Sequence, residues 1–212
     1  MLQACLNGRR PRGDHPAVPL TPEELAADAR RAIAAGAAEL HVHPRAPGGA
    51  DTTEPGAAGA TVRAIRAACP GVPLGLTTGL WTTDGDAELR HAQVEAWEDL
   101  PDYVSVNIAE PGSAELCELL GGRGVGIEAG VWNLADAHLL LERGLVPLRV
   151  LVETSDGGAE DPVAAAADIP AEDAGLGDVE LLSPALAVLA MLAWIGAAFA
   201  AGYALLRGRD VH

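Results

Sequence analysis

Lysine is absent. All 14 basic residues are Arg, and they face 30 Asp and Glu, for a formal net charge of −16 at pH 7. A surface this acidic repels phosphate backbones and anionic lipid, which excludes nucleic acid as a partner. Cysteine is scarce as well: Cys5, Cys69 and Cys117 are odd in number, far apart and set among apolar neighbours. That excludes a disulfide framework and predicts reduced, buried packing thiols in a cytoplasmic protein. Two phosphate cradles are missing, since no G-x-G-x-x-G turn follows the first strand and no G-x-x-x-x-G-K-[ST] occurs anywhere. The start, Met-Leu-Gln-Ala-Cys-Leu-Asn-Gly-Arg-Arg, puts its apolar run before its bases, the reverse of a secretory signal.

What is present is a chain of 212 residues, 49% apolar, with 25 Gly, enough to bury one large core. Residues 1 to about 155 alternate short apolar or β-branched runs with Ala/Leu/Arg/Glu-rich stretches, the βαβα rhythm of parallel strands with crossover helices. Strands are expected at Leu2–Leu6, Glu39–His43, Pro73–Thr77, Tyr103–Ile108, Val125–Ala129 and Leu148–Glu153. Between them fall helices at Pro22–Ala35, opened by the capping box Thr21-Pro-Glu-Glu24, then Gly56–Cys69, Ala87–Leu100, Ala114–Leu120 capped by Ser113, and Leu134–Arg143. A sixth helix is expected from Pro162. Six such units favour a (β/α)₈ TIM-barrel-like fold, truncated after about six βα units, over a doubly wound sheet.

Past about Asp168 the texture changes. We divide the chain into a barrel-like catalytic domain (1–168), a linker (169–180), an apolar segment (181–206) and a short tail (207–212). Leu181 to Leu206 holds no charged side chain and, at about 1.5 Å per residue, is long enough for a transmembrane helix. Arg207 and Arg209 after it and Asp173, Asp178 and Glu180 before it would put the C-terminus in the cytoplasm and the barrel outside, against the cytosolic look of the front of the chain. A membrane span, a buried apolar helix and a tail joined by a shifted reading frame are the three readings of this run.

The residues richest in chemistry are Glu39-Leu-His-Val-His-Pro-Arg45. Side chains alternate along a strand, so His41 and His43 share a face and Leu40 and Val42 the other. Pro44 stops the ladder, which sets the pair at the strand's C-terminal end, where (β/α)₈ enzymes build their sites. Two neutral imidazoles suit a divalent metal such as zinc, with water or substrate completing the coordination; a pair of hydrogen-bonded core histidines is the plain alternative. Further polar groups fall at other strand ends: Thr77-Thr78-Gly79, Ser105 with Asn107, Glu128 and Glu153. Hydroxyls and an amide hold a carboxylate or carbonyl, and a carboxylate relays protons beside a polarised carbonyl. Taken singly, each of these residues is also an ordinary loop cap.

Taken in order, Ala4-Cys-Leu-Asn-Gly8, His15-Pro-Ala-Val-Pro-Leu-Thr-Pro-Glu-Glu-Leu25, Gly36-Ala-Ala-Glu-Leu-His-Val-His-Pro-Arg45, Leu76-Thr-Thr-Gly79, Ser105-Val-Asn107 and Gly126-Ile-Glu-Ala-Gly130 resemble the β-keto acid cleavage enzymes. That family was founded on 3-keto-5-aminohexanoate cleavage enzyme, and the resemblance spans residues 1–168. It implies a zinc-dependent (β/α)₈ acyltransferase that condenses a β-keto acid with acetyl-CoA to give acetoacetate and a new acyl-CoA. A homo-oligomer is expected as well. His41 and His43 would bind zinc, Thr77, Gly79, Ser105 and Asn107 would line the substrate pocket, and Glu128 would support proton transfer.

Two departures from the family stand out. Its third zinc ligand, a Glu followed by an Asp general base on the last strand, has no counterpart, and the apolar run stands where strands seven and eight would be. The first-strand acid that binds an amino group in the founding member is absent too, for the segment reads Arg9-Arg-Pro-Arg12, which points to an acidic or neutral β-keto acid. A non-catalytic, membrane-tethered barrel remnant and another metal-dependent aldolase or hydrolase barrel are the alternatives.

Overall fold

The computed structural model describes residues 2–152. Six parallel strands and five helices alternate along them: β1 (Gln3–Cys5), α1 (Pro22–Ala34), β2 (Glu39–Val42), α2 (Pro55–Ala68), β3 (Leu74–Thr77), α3 (Ala87–Glu95), β4 (Tyr103–Asn107), α4 (Ser113–Gly122), β5 (Gly126–Val131), α5 (Leu134–Glu142) and β6 (Arg149–Val152). A 3-10 turn, Leu80–Thr83, follows β3. The strands lie side by side in chain order, β1-β2-β3-β4-β5-β6. A doubly wound sheet would reverse order at a switch point; this one never does, as in a barrel wall. The described residues form a curled, truncated TIM-barrel-like half-barrel.

The register divides the sheet into an apolar outer face and a polar inner one. Leu40, Val42, Leu74, Leu76, Val104, Val106 and Ala129 point outward and are completely buried. All but Ala129 pack with Leu25, Ala29, Ala58, Ile65 and Leu116 of the helices in one core. On the inner face one row runs Cys5, His41, Gly75, Tyr103, Gly126, and the next runs Thr77, Ser105, Glu128, Arg149. Gly75 has a packing role here: a Cβ at this position would lie 2.0 Å from Tyr103 Cε2, so only glycine lets that ring lie across the sheet.

The capping box forms as expected: Thr21 Oγ1 accepts from Glu24 N, and the Glu24 carboxylate accepts from Thr21 N and Leu20 N. Three expectations need correction. The third helix stops at Glu95 rather than Leu100, because Trp97 turns inward to donate to Thr53 O at 2.8 Å and Arg123 caps the carbonyls of Val94, Glu95 and Trp97. Ser113 does not cap the fourth helix but is its first residue; Gly112, at φ 71°, takes the cap, and the Ser113 hydroxyl donates to Ile108 O. Cys5 is exposed, not buried, because it sits on the polar inner face; Cys69 and Cys117 are buried as expected. Burial pushes the Cys117 thiol up to about 11, so it is inert.

The expected sixth helix, Glu153 and the apolar run 181–206 lie outside the described residues. Among the described residues no helix is long and apolar enough to cross a membrane.

Candidate active site

Asn7 carries β2 past its last ladder residue. Pro44 cannot donate to a neighbour, and His43, one residue earlier, takes its backbone partners from a side chain: Asn7 Oδ1 accepts from His43 N at 2.9 Å, and Asn7 Nδ2 donates to His43 O at 2.8 Å. His43 therefore stays in line with His41. The two rings meet edge to face with centroids 5.4 Å apart, each residue only 8% exposed.

Their surroundings differ. Burial first, and then the neighbouring His43, push the His41 imidazole down to about 3, so it is neutral at any physiological pH. Its Nδ1 is buried without a hydrogen-bond partner among the described residues and lies 3.8 Å from Glu128 Oε2. His43 Nδ1 instead faces Asp51 Oδ2 at 3.1 Å. The same oxygen accepts from Trp81 Nε1 at 2.9 Å, and Arg45 Nη1 stands 2.7 Å from Asp51 Oδ1. Burial opposes ionisation of Asp51, yet bonds from His43 and Trp81 and the charge of Arg45 hold its carboxyl below the usual range.

These donors fit a divalent metal in part. One imidazole is neutral with a buried ring nitrogen left unbonded, and the other is backed by a carboxylate, the usual support of a metal-bound histidine. Among the described residues no group of three or more His, Cys, Asp or Glu side chains is placed to hold a metal.

The remaining expected residues are distributed as follows. Thr77, Ser105 and Glu128 are neighbours in one inner row, with Asn107 one pleat further along beside Gly130. Asn107 is already engaged: its Nδ2 donates to Glu110 Oε1 at 2.8 Å and its Oδ1 accepts from Trp132 Nε1 at 3.1 Å. Gly79 lies beyond the strand, beneath Trp81, where a Cβ would come within 2.1 Å of the indole. Glu128 is completely buried, with Oε1 accepting from Gln3 Nε2 at 2.8 Å and facing Arg149 Nε at 3.0 Å.

The profile of the β-keto acid cleavage enzymes matches residues 1–157. The chain belongs to this family. No curated protein matches it. Among solved structures it is similar to ObcA in a binary complex with oxaloacetate, at 22% identity and a TM-score of 0.53. It is also similar to ObcA in a ternary complex with a C4-CoA adduct and oxalate, at 21% identity and a TM-score of 0.54. Each match covers 71% of this chain and 40% of the ObcA chain, so the family's fold is shared over less than half the length of those structures.

Sequence reasoning missed Asp51 and Trp81 beside the His-x-His pair, and named Arg45 and Arg9 without placing them there. Asp51, Arg45 and Trp81 form one cluster with His43, and Arg9 lies over the Trp81 ring at 4.6 Å from its centroid. Trp81 in turn stacks on His43, with centroids 6.2 Å apart. The available signal was a Trp two residues after Gly79, just past the third strand, with an Asp closing a Gly-Gly turn behind the histidines.

Proposed function

We propose that the chain is a metal-dependent acyltransferase of β-keto acid cleavage, in which His41 and His43 supply two ligands to zinc. The observation that carries the reading is the pair of buried imidazoles at the C-terminal end of β2, one of them neutral and with an unbonded ring nitrogen. In the overall reaction a β-keto acid and acetyl-CoA exchange acyl groups, giving acetoacetate and the CoA thioester of the substrate's own acyl part. Zinc, when bound, polarises the keto oxygen. Thr77 and Ser105, with the backbone at Gly79 and the Asn107 amide, orient the substrate over the inner face. Glu128, held by Gln3 and Arg149, stands behind His41 as a fixed negative charge and supports proton transfer at the substrate.

Arg9 gives the reading its substrate class. Its guanidinium, stacked on Trp81 and two ring contacts from His43, favours a β-keto acid with an acidic or neutral tail over one that bears an amine. Oxaloacetate, bound by ObcA, is itself an acidic β-keto acid. The apolar run 181–206 is proposed as a membrane tether and the chain as a homo-oligomer; membrane fractionation with and without the run, and light scattering, test these two points.

The test of the function is acetoacetate release by the full-length chain from acetyl-CoA and a panel of β-keto acids, with zinc content measured on the same preparation. Turnover of acidic or neutral members with bound zinc is expected. Metal-free protein that turns over none of them would reject the proposal.

A further inference from the structure

After Arg45 the chain doubles back. Ala46 N donates to Ala50 O at 2.9 Å, Gly49 N donates to Ala46 O at 2.8 Å, and Gly49 takes φ 85°, a conformation that glycine adopts without strain. This tight turn pairs Arg45 with Asp51 in an antiparallel bridge and returns the Asp51 side chain to the end of β2. Both side chains are buried, at 4% and 6% exposure. Arg45 is fixed in turn by the carbonyls of Gly8, Arg10 and Gly49, so the carboxylate has a rigid counter-charge.

A carboxylate with Arg45 beside it is an acceptor only, and Trp81 Nε1 can only donate. The 3.1 Å contact between Asp51 Oδ2 and His43 Nδ1 therefore needs its proton on the imidazole. In the neutral ring that proton fixes the tautomer: Nδ1 carries hydrogen and Nε2 keeps the lone pair. Without such a partner an imidazole favours the opposite form, with Nε2 protonated.

We infer that Asp51, clamped by Arg45 and Trp81, is a positioning residue that locks His43 in the Nδ1–H tautomer and so keeps Nε2 ready to bind a divalent metal. The inference deepens the proposed function, since its consequence for metal binding rests on His43 being a ligand. Arg45, Asp51 and Trp81 touch neither the reacting atoms nor the metal in this role; they act through one ring.

The test uses the full-length chain with ¹⁵N-labelled histidine. Long-range ¹H–¹⁵N spectra of the metal-free protein report the His43 tautomer, and competition with a chelator reports Zn²⁺ affinity. Wild type is expected to show Nδ1–H at His43. Asp51→Ala is expected to shift the ring toward Nε2–H and to weaken Zn²⁺ binding about 10- to 100-fold. Asp51→Asn, whose amide oxygen still accepts, is expected to keep the tautomer and lose less affinity; it serves as the reference should Asp51→Ala fail to fold. A His43 ring that is Nε2–H in wild type, or a folded Asp51→Ala chain with unchanged tautomer or Zn²⁺ affinity, overturns the inference. Wild type that binds no Zn²⁺ yet shows Nδ1–H, lost in Asp51→Ala, would instead reject the metal reading and leave the Asp51 lock standing.

Discussion

Gln3 and Glu128, 125 residues apart in the chain, meet across the inner face of the sheet, where Gln3 Nε2 donates to Glu128 Oε1 at 2.8 Å. Arg149 joins them from β6, with Nε 3.0 Å from Glu128 and Nη2 2.5 Å from Glu39 Oε2. The second, fifth and sixth strands are thus bound through ion pairs, and the first through the Gln3 amide, as well as through the ladder. Arg149 neutralises two carboxylates that are 0% and 8% exposed. Arg149→Met leaves both without that cation and is expected to cost about 3 kcal/mol. Urea denaturation checks this, and an unchanged midpoint would contradict it.

Gly75 and Tyr103 interlock in the same layer. Gly75→Ala drives a methyl into the Tyr103 ring, whose hydroxyl donates to Leu40 O at 2.7 Å. The expected loss is about 1–3 kcal/mol. Tyr103→Leu on its own loses that hydrogen bond, but adding Gly75→Ala to it should then cost little. Thermal denaturation of both singles and the double reads the coupling, and additive losses would count against the packing argument.

Much of this arrangement is legible in the sequence, for identifiable reasons. Strand and helix order follows from the alternation of β-branched runs with Ala-rich stretches, and the capping box at Thr21 is a local signal that needs nothing else. The His-x-His pair is visible because a strand's period of two is rigid. Helix ends were less legible: Arg123 lies 28 residues beyond the Glu95 carbonyl it caps, and no local pattern announces that contact. Asp51 was invisible for a related reason, since a turn through Gly49, and not spacing along an element, brings it to His43. The place of Glu128 on the fifth strand is legible, but its anchoring by Gln3 and Arg149 depends on the curl of the sheet.

The capping box also predicts a pH dependence. Backbone bonds from Leu20 above all, together with Arg12 and Thr21, hold the Glu24 carboxyl down to about 2 from an ordinary 4.5. A depressed carboxyl stabilises the fold fully above its unfolded value and loses that contribution as pH falls through the folded one. Glu24→Gln should therefore lower the melting temperature at pH 7, and the gap to wild type should close between pH 4.5 and about 2. A gap that persists below this window would mean that charge plays no part in the cap.

Arg9 is expected to set substrate preference without holding up the fold, since it is exposed and its contact is to the Trp81 face. Arg9→Ala should raise KM for a β-keto acid with an anionic tail about 5-fold or more, as expected for loss of about 1 kcal/mol from a charge-assisted contact. KM for acetyl-CoA should stay unchanged. Steady-state kinetics with each substrate varied in turn decides this; a rise in the acetyl-CoA value alone would assign Arg9 to the cofactor thioester instead.

Metal content of the purified full-length chain, compared between wild type and the His41→Ala/His43→Ala double variant, tests the central claim most directly. The account predicts zinc near one equivalent per chain in wild type and loss of nearly all of it in the variant. Equal metal in both proteins, or none in wild type, would contradict it.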